Sequence, residues 1–231
     1  MLKSAGFEKR FEEINIKAVN SALKAREETG YKDVIIAGSI SHRYPIADGD
    51  TKSNASIQVS KLELQEATEE MALLLTNNGC DIILLEMMYR PERMKIIFDI
   101  VKKLNIPIWV CFSCRKSDKG EILSLTDETV VPFSEMIAIS KEYNFDAWGI
   151  MHTSEDILGE CIKMIKANFN GPILSYPDTG GWISPNWIFD SVIEPEKFKE
   201  KANGWFALGA QIIGGCCGTS PDHIRALATL K

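Results

Sequence analysis

The sequence lacks the features that mark nucleic-acid binding or membrane insertion. Its 231 residues carry 26 Lys and Arg against 32 Asp and Glu, a formal net charge of −6, with no long basic block. Such a balance is unsuited to a general phosphate-backbone binder. No stretch approaches the roughly 20 apolar residues that cross a bilayer, and the N-terminal segment lacks the apolar core of a signal peptide. We therefore expect a cytoplasmic protein that binds small molecules, with no nucleic-acid or membrane partner.

The sequence also lacks a long linker, a low-complexity tract and a short-period repeat, so no domain boundary can be drawn. With 45% hydrophobic and 25% charged residues, it predicts a single domain over residues 1–231 with a substantial core. The six cysteines occur without a secretory signal, so we expect them to be reduced. Metal binding or nucleophilic chemistry is then a better explanation for them than a disulfide framework.

Apolar runs of strand length alternate with segments of helical period. The runs are nearly continuous rather than alternating, which is typical of parallel strands covered on both faces. Among the helical segments, residues 61–79 end at a glycine and residues 154–171 begin at Ser154, which we expect to cap the helix. The six predicted strands are residues 34–40, 81–88, 106–113, 145–152, 172–177 and 210–216.

Two architectures produce this alternation: an open doubly wound sheet and a (β/α)₈ barrel. An open sheet that binds nucleotides carries a glycine-rich phosphate loop after its first strand, and AGSISHRYP (37–45) is not one. In a barrel, chemically active residues gather where the strands end. Several candidates lie at such positions: Glu86, Ser113, His152, Asp178, Cys216 and Cys217. This placement favours the barrel.

The adjacent Cys216 and Cys217 stand in the sequence GGCCG (214–218), where flanking glycines let the backbone turn so that both sulfurs face one point. The following SPDH supplies a Ser cap and a first-turn Pro, so the pair borders a helix N-terminus, which favours thiolates. Two converging thiolates suit a zinc ion, which needs a third protein ligand and an open position to be catalytic. The alternative, one packed cysteine and one incidental, is typical of isolated Cys-Cys pairs.

GGCCGTSPDHI (214–224) resembles the zinc-binding signature of the homocysteine S-methyltransferases, which include betaine-dependent and S-methylmethionine-dependent enzymes. The resemblance extends in order through most of the chain: a helix FEEINIKAVNSALKARE, then VIIAGSI, ILLEMM, WVCFS, GIMHTSEDI and SYPDTG. It implies a TIM-type barrel in which zinc activates a substrate thiol for methyl transfer. It also implies that Glu86 binds the ammonium of an amino-acid substrate. Ser113 and Asp178, at neighbouring strand ends, are further candidates for substrate binding, and the alternative for Asp178 is a plain turn residue.

The chain departs from the family pattern at three places. The family begins with two further strands, the first carrying an Asp-Gly-Gly turn, so if Met1 is the true start the barrel has six of its eight parallel strands. Where the family has its third zinc-binding cysteine, this chain has His152, a normal zinc ligand. Cys114 is a rival for that role, because it ends another strand. The family's Pro-Asn-Ser-Gly turn is Pro177-Asp178-Thr179-Gly180 here.

The resemblance therefore implies a zinc-dependent S-methyltransferase that moves a methyl group from an onium-type donor to homocysteine or a related thiol. Its zinc ligands would be Cys216, Cys217 and His152. The alternative is a non-catalytic zinc-binding or interaction protein derived from this family by loss of the first two strands. A six-stranded sheet leaves unpaired edges at its first and last strands. We expect those edges to pair between chains in a homo-oligomer or to be covered by the N-terminal helix.

Overall fold

A computed structural model of the chain describes residues 2, 6–42, 59–125, 129–183, 186–189 and 192–230. The backbone divides into two compact units. The first comprises Met1–Leu85 and Glu92–Trp109, and the second comprises Glu86–Pro91 and Val110–Lys231. The boundary falls after Leu85, after Pro91 and after Trp109. The assignment of residues 1–231 to a single domain stays a prediction.

Six strands of the structure form one sheet, in the order β1-β2-β3-β6-β7-β10. They are β1 (Ala37–Ser41), β2 (Ile82–Met88), β3 (Ile108–Phe112), β6 (Ala147–Ser154), β7 (Ile173–Asp178) and β10 (Ile212–Ile213). Each lies within a predicted strand or within one or two residues of it, so the parallel α/β arrangement is confirmed. Among the described residues, β1 and β10 are the terminal strands of this sheet.

A helix follows each of the six strands, as the alternation predicts. After a 3₁₀ turn (Glu8–Arg10) and the first helix, α1 (Phe11–Thr29), these are α2 (Lys61–Asn77), α3 (Pro91–Val101), α4 (Phe133–Ser140), α5 (Leu158–Lys166), α6 (Pro195–Leu208) and α7 (Pro221–Leu227). In the described parts of the chain, no helix is both long and apolar enough to cross a membrane.

Two antiparallel hairpins are additions that the sequence does not predict. One pairs β4 (Cys114–Lys116) with β5 (Ile122–Ser124), and the other pairs β8 (Gly181–Ile183) with β9 (Asn186–Ile188). Their three-residue strands are too short to show a period of two.

The expectation that Ser154 caps a helix is wrong. Ser154 is the last residue of β6, and α5 begins at Leu158 with Ile157 at its N-cap and no side-chain cap. The strand continues past His152 to Ser154, and residues 155–157 form a turn before the helix begins.

In the first unit, a salt bridge ties α1 to the segments that lead into β1 and β2. The Arg26 guanidinium lies 2.6 Å from the Asp81 carboxylate and also donates to the Val34 carbonyl at 3.0 Å. Asp81 accepts a further bond from the Ile36 amide at 2.7 Å. Helix α2 begins with a capping box between Ser60 and Glu63, which satisfies two amides at its N-terminus.

In the second unit, the core is built around aromatic rings on β3, α4 and β6. The Phe112 ring contacts Phe133 and Trp148 edge to face, with centroids 5.4 and 5.9 Å apart. Trp148 also stacks on Phe169 at 4.7 Å. Such pairs add to the apolar burial that fixes β3 and β6 in place. Strand β6 carries His152 near its C-terminal end.

Close packing of β6 on β7 at Gly149 gives a stability prediction. A Cβ added to Gly149 would lie 2.5 Å from Leu174 Cβ and 2.9 Å from the Leu174 carbonyl oxygen, so the strands would have to move apart. We expect Gly149→Ala to lower the free energy of unfolding by about 1–3 kcal/mol, the usual cost of overpacking a core. Urea unfolding followed by circular dichroism measures the change.

The control for this prediction is Gly204→Ala in α6, where nothing lies within 4 Å of the added Cβ. Alanine is a better helix former than glycine, so this variant should be more stable than the wild type by up to about 1 kcal/mol. Equal stability of Gly149→Ala and the wild type would contradict the close approach of β6 and β7.

Candidate metal centre

Four potential metal ligands converge in the second unit, at the C-terminal ends of neighbouring strands. One ligand atom from each of His152, Asp178, Cys216 and Cys217 lies within 4.8 Å of the others. His152 is on β6, Asp178 ends β7, and the two cysteines follow β10. Parallel strands end at the same edge of a sheet, which is why residues far apart in sequence meet here.

The cysteine turn is fixed to the end of β7 by main-chain hydrogen bonds. The Cys216 amide donates to the Pro177 carbonyl at 2.9 Å, and the Thr179 amide donates to the Cys217 carbonyl at 2.8 Å. Gly218 closes the turn with a φ of +81°, and a Cβ there would lie 2.1 Å from the Thr179 carbonyl oxygen. Only glycine fits at this position. The turn holds the two sulfurs 3.9 Å apart.

A β-bulge in β6 places His152. Met151 pairs with Tyr176 of β7, but the next paired residues are Ser154 and Asp178, so β6 has one more residue than β7 over this interval. His152 takes a left-handed backbone conformation in this bulge, with a φ of +44°. Left-handed backbone is unfavourable for a residue with a Cβ and is concentrated at functional sites. A bulge of this kind re-aims a side chain at a strand end.

The His152 side chain contacts the Asp178 carboxylate. Nδ1 of His152 lies 2.9 Å from Oδ2 of Asp178 and 3.2 Å from Oδ1. The side chains are only 19% and 16% exposed, so little water competes for this hydrogen bond. The two residues therefore form a pair within the group.

The electrostatics of the group oppose an isolated thiolate. Burial raises the pKa of the Cys216 thiol, and the nearby Asp178 carboxylate and Cys217 sulfur raise it further. Ser220 does cap α7 and Pro221 is its first residue, as the sequence predicts. The expectation that this helix end would favour thiolates is wrong for Cys216, because burial and neighbouring acidic groups act in the opposite direction. A cation at this point would reverse the balance.

Glu86, at the end of β2, is paired with a tyrosine that sequence reasoning missed. The Tyr176 hydroxyl donates to Oε1 of Glu86 at 3.3 Å. Burial raises the pKa of Tyr176, and so do the neighbouring Cys111, Glu86 and Cys216, so its phenol stays protonated as a donor. Tyr176 and Asp178 are two residues apart in β7, which puts them on the same face. This period-two relation was the signal that could have identified Tyr176.

The structure places Ser113 and Cys114 outside the group. Ser113 is fully buried, and its hydroxyl donates to the Met151 carbonyl at 3.0 Å, so it joins the end of β3 to β6. Cys114 is buried on β4 beside Cys161, and that burial raises the pKa of its thiol. Of the two rivals for third ligand, His152 is the one that lies with the cysteine pair.

Comparisons with known proteins show the family to which the chain belongs. A family model described as homocysteine S-methyltransferase matches residues 1–230. Homocysteine S-methyltransferase 1 of Arabidopsis thaliana is 25% identical over 229 residues, which are 92% of this chain and 68% of that protein. Selenocysteine methyltransferase of Astragalus bisulcatus is 24% identical over 206 residues, covering 85% of this chain and 58% of that protein. The chain thus spans 68% and 58% of the length of these two relatives.

A solved structure confirms the fold. The metallated form of the homocysteine methyltransferase MmuM from Escherichia coli superposes with a TM-score of 0.75 at 21% sequence identity. The superposition covers 98% of this chain and 73% of that one. The α/β architecture is therefore that of an incomplete TIM-type barrel, as the sequence predicts.

Proposed function

Because the chain belongs to the homocysteine S-methyltransferase family, we propose that it transfers a methyl group from an onium-type donor to the thiol of homocysteine or a related thiol. The observation that carries the proposal is the convergence of His152, Cys216 and Cys217 at one point. In this proposal the three residues hold a zinc ion.

The donor set fits zinc. Two sulfurs bound to a tetrahedral zinc ion at about 2.3 Å lie roughly 3.8 Å apart, and the sulfurs of Cys216 and Cys217 are 3.9 Å apart. Two thiolates and an imidazole are a usual catalytic set for zinc and leave a fourth position for a substrate.

When bound, zinc supplies a Lewis acid that lowers the pKa of a substrate thiol. The chain's own residues fix the geometry. Cys216 and Cys217 are held by the main-chain bonds to β7, and His152 by the bulge in β6. In the reaction, the substrate sulfur forms a bond to the donor's methyl carbon as the bond from that carbon to the onium atom breaks. The donor leaves as a neutral group and the thiol proton passes to solvent.

Glu86 is the proposed contact for the substrate's ammonium group. A half-buried carboxylate needs a partner, and the Tyr176 hydroxyl satisfies one of its oxygens at 3.3 Å. The same hydrogen bond fixes the orientation of the carboxylate, so the ammonium meets a positioned acceptor. Orientation of this kind aligns the substrate sulfur with the methyl carbon.

The test is a methyl-transfer assay on protein purified under reducing conditions without chelators. Zinc is counted by plasma mass spectrometry, and L-homocysteine is supplied with S-methylmethionine, glycine betaine or S-adenosylmethionine. We expect one zinc per chain and formation of methionine with at least one donor. Selenocysteine is a second acceptor to include, since the Astragalus relative is named for it. Protein that carries no zinc and takes none up would overturn the proposal.

The same assay separates the enzyme from the alternative suggested by the sequence. A chain that binds zinc with one ion per molecule but methylates no acceptor with any donor would be a non-catalytic zinc-binding protein. Zinc content alone does not separate the two, because both require the cysteine pair.

A further inference from the structure

The hydrogen bond between His152 and Asp178 joins two members of the ligand group. We propose that Asp178 is a positioning residue: its carboxylate accepts the Nδ1 proton of His152 and so turns the Nε2 lone pair of that ring to the zinc ion. This inference rests on the proposed function for the presence of zinc. It assigns Asp178 neither to the substrate nor to the metal, although the residue lies within the ligand group.

The first support is the geometry of the contact. Both carboxylate oxygens of Asp178 lie within hydrogen-bond distance of the same ring nitrogen, at 2.9 and 3.2 Å. A ring nitrogen that donates a proton to a carboxylate cannot at the same time give its lone pair to a metal. If His152 binds the metal, Nε2 is then the nitrogen that would do so, with the tautomer set by Asp178.

The second support is that the backbone holds both partners. After the bulge at His152, the Thr153 hydroxyl donates to the Met151 carbonyl at 2.8 Å and accepts from the Cys114 amide at 3.0 Å. Asp178 lies between Pro177 and Thr179, whose main-chain groups bond the cysteine turn. The carboxylate is thus fixed relative to both the imidazole and the sulfurs.

The third support comes from the number of protein ligands that zinc would have and from the net charge of the centre. If Asp178 bound the metal directly, four protein ligands would fill a tetrahedral site, and a substrate thiol would have no position to occupy. With the Asp178 carboxylate bonded to His152 rather than to the metal, three ligands remain. Two thiolates, one zinc ion and a neutral imidazole sum to zero, and the Asp178 carboxylate brings the centre to −1. A carboxylate behind a ligating histidine also makes that ligand more basic.

Zinc affinity of Asp178 variants tests the inference, measured at fixed pH by competition with a chromophoric chelator. Asp178→Ala should weaken zinc binding roughly 10-fold to 100-fold, the usual effect of losing the carboxylate behind a histidine ligand. Asp178→Asn keeps an oxygen that accepts the Nδ1 proton, so its loss should be less than about 10-fold. The matched control is Asp222→Asn, an exposed aspartate of α7 paired with Arg225, which should bind zinc as the wild type does.

A double-mutant cycle makes the test specific. If Asp178 acts through His152, then adding Asp178→Ala to His152→Ala should cause no further loss of zinc affinity. The visible spectrum of cobalt substituted for zinc reports the ligand set: Asp178→Asn should leave its band positions unchanged, whereas His152→Ala should shift them. Circular dichroism melting without metal shows whether each variant is folded.

Three results would overturn the inference. Equal losses in Asp178→Ala and Asp178→Asn, with a changed cobalt spectrum in both, would make Asp178 a direct ligand. Unchanged zinc affinity with a raised KM for the thiol would make it a substrate-binding residue. A further loss in the double variant would show that Asp178 acts independently of His152.

The proposed function can fail separately. If the wild type binds zinc with the expected dependence on Asp178 but transfers no methyl group, the positioning role of Asp178 is supported and the proposed methyltransferase activity is rejected. If the wild type is active and the Asp178 variants keep full zinc affinity, the proposed activity is supported and the positioning role of Asp178 is rejected.

Discussion

Replacing Cys217 with serine is expected to remove zinc from the protein and to lower kcat/KM for homocysteine by on the order of 1,000-fold, since the Lewis acid contributes several kcal/mol. The sulfur of Cys217 lies 3.9 Å from that of Cys216, and a serine hydroxyl is a poor substitute for a thiolate on zinc. Plasma mass spectrometry measures the zinc content, and methionine formation measures the activity.

Cys80→Ser is the matched control for this change. Cys80 is a buried cysteine of the first unit and is not a member of the ligand group. It should retain one zinc per chain and close to wild-type activity. A Cys217→Ser protein that is folded and as active as the wild type would contradict the zinc mechanism altogether.

Glu86→Gln is expected to raise the KM for homocysteine and to lower kcat/KM by roughly 10-fold to 150-fold. The glutamine keeps the size of the side chain and the hydrogen bond from Tyr176, but it loses the charge that pairs with the substrate ammonium. A hydrogen bond to a charged group contributes about 1.5–3 kcal/mol, which corresponds to this range. Steady-state kinetics with varied homocysteine measures both constants.

The control for Glu86 is a change of substrate rather than of residue. 4-Mercaptobutanoate is homocysteine without its amino group, so the wild type should use it less well than homocysteine. Glu86→Gln should use 4-mercaptobutanoate as well as the wild type does. If Glu86→Gln reduces activity with both thiols by the same factor, the carboxylate does not bind the ammonium, and its role is then structural.

The order of strands and helices could be predicted because buried parallel strands leave a strong signal. Continuous apolar runs such as residues 81–88 differ clearly from the helical period of residues 61–79, and the structure has a strand and a helix there. The hairpins β4–β5 and β8–β9 could not be predicted, since three-residue strands carry no period. Ser154 was misassigned because a serine followed by acids occurs in strand-end turns as well as at helix starts.

The candidate centre was predictable as a set of residues but not as a set of contacts. Strand ends indicated that His152, Asp178 and the cysteines would meet, because parallel strands share an edge. The bulge that redirects His152 depends on strand register, which no local pattern records. The position of Tyr176 two residues before Asp178 was the one signal for the partner of Glu86, and it is weak because a tyrosine in an apolar strand is usually a core residue. Only the three-dimensional pairing shows Tyr176 as a donor.

The bonds between the end of β7 and the cysteine turn have an evolutionary consequence. Two of them join the amides of Cys216 and Thr179 to the carbonyls of Pro177 and Cys217, and these two bonds use no side chain. Mutation at position 178 can therefore exchange one side chain for another while the two loops stay in register. A main-chain framework of this type allows the side chains around the candidate metal centre to change during evolution while the loops keep their conformation.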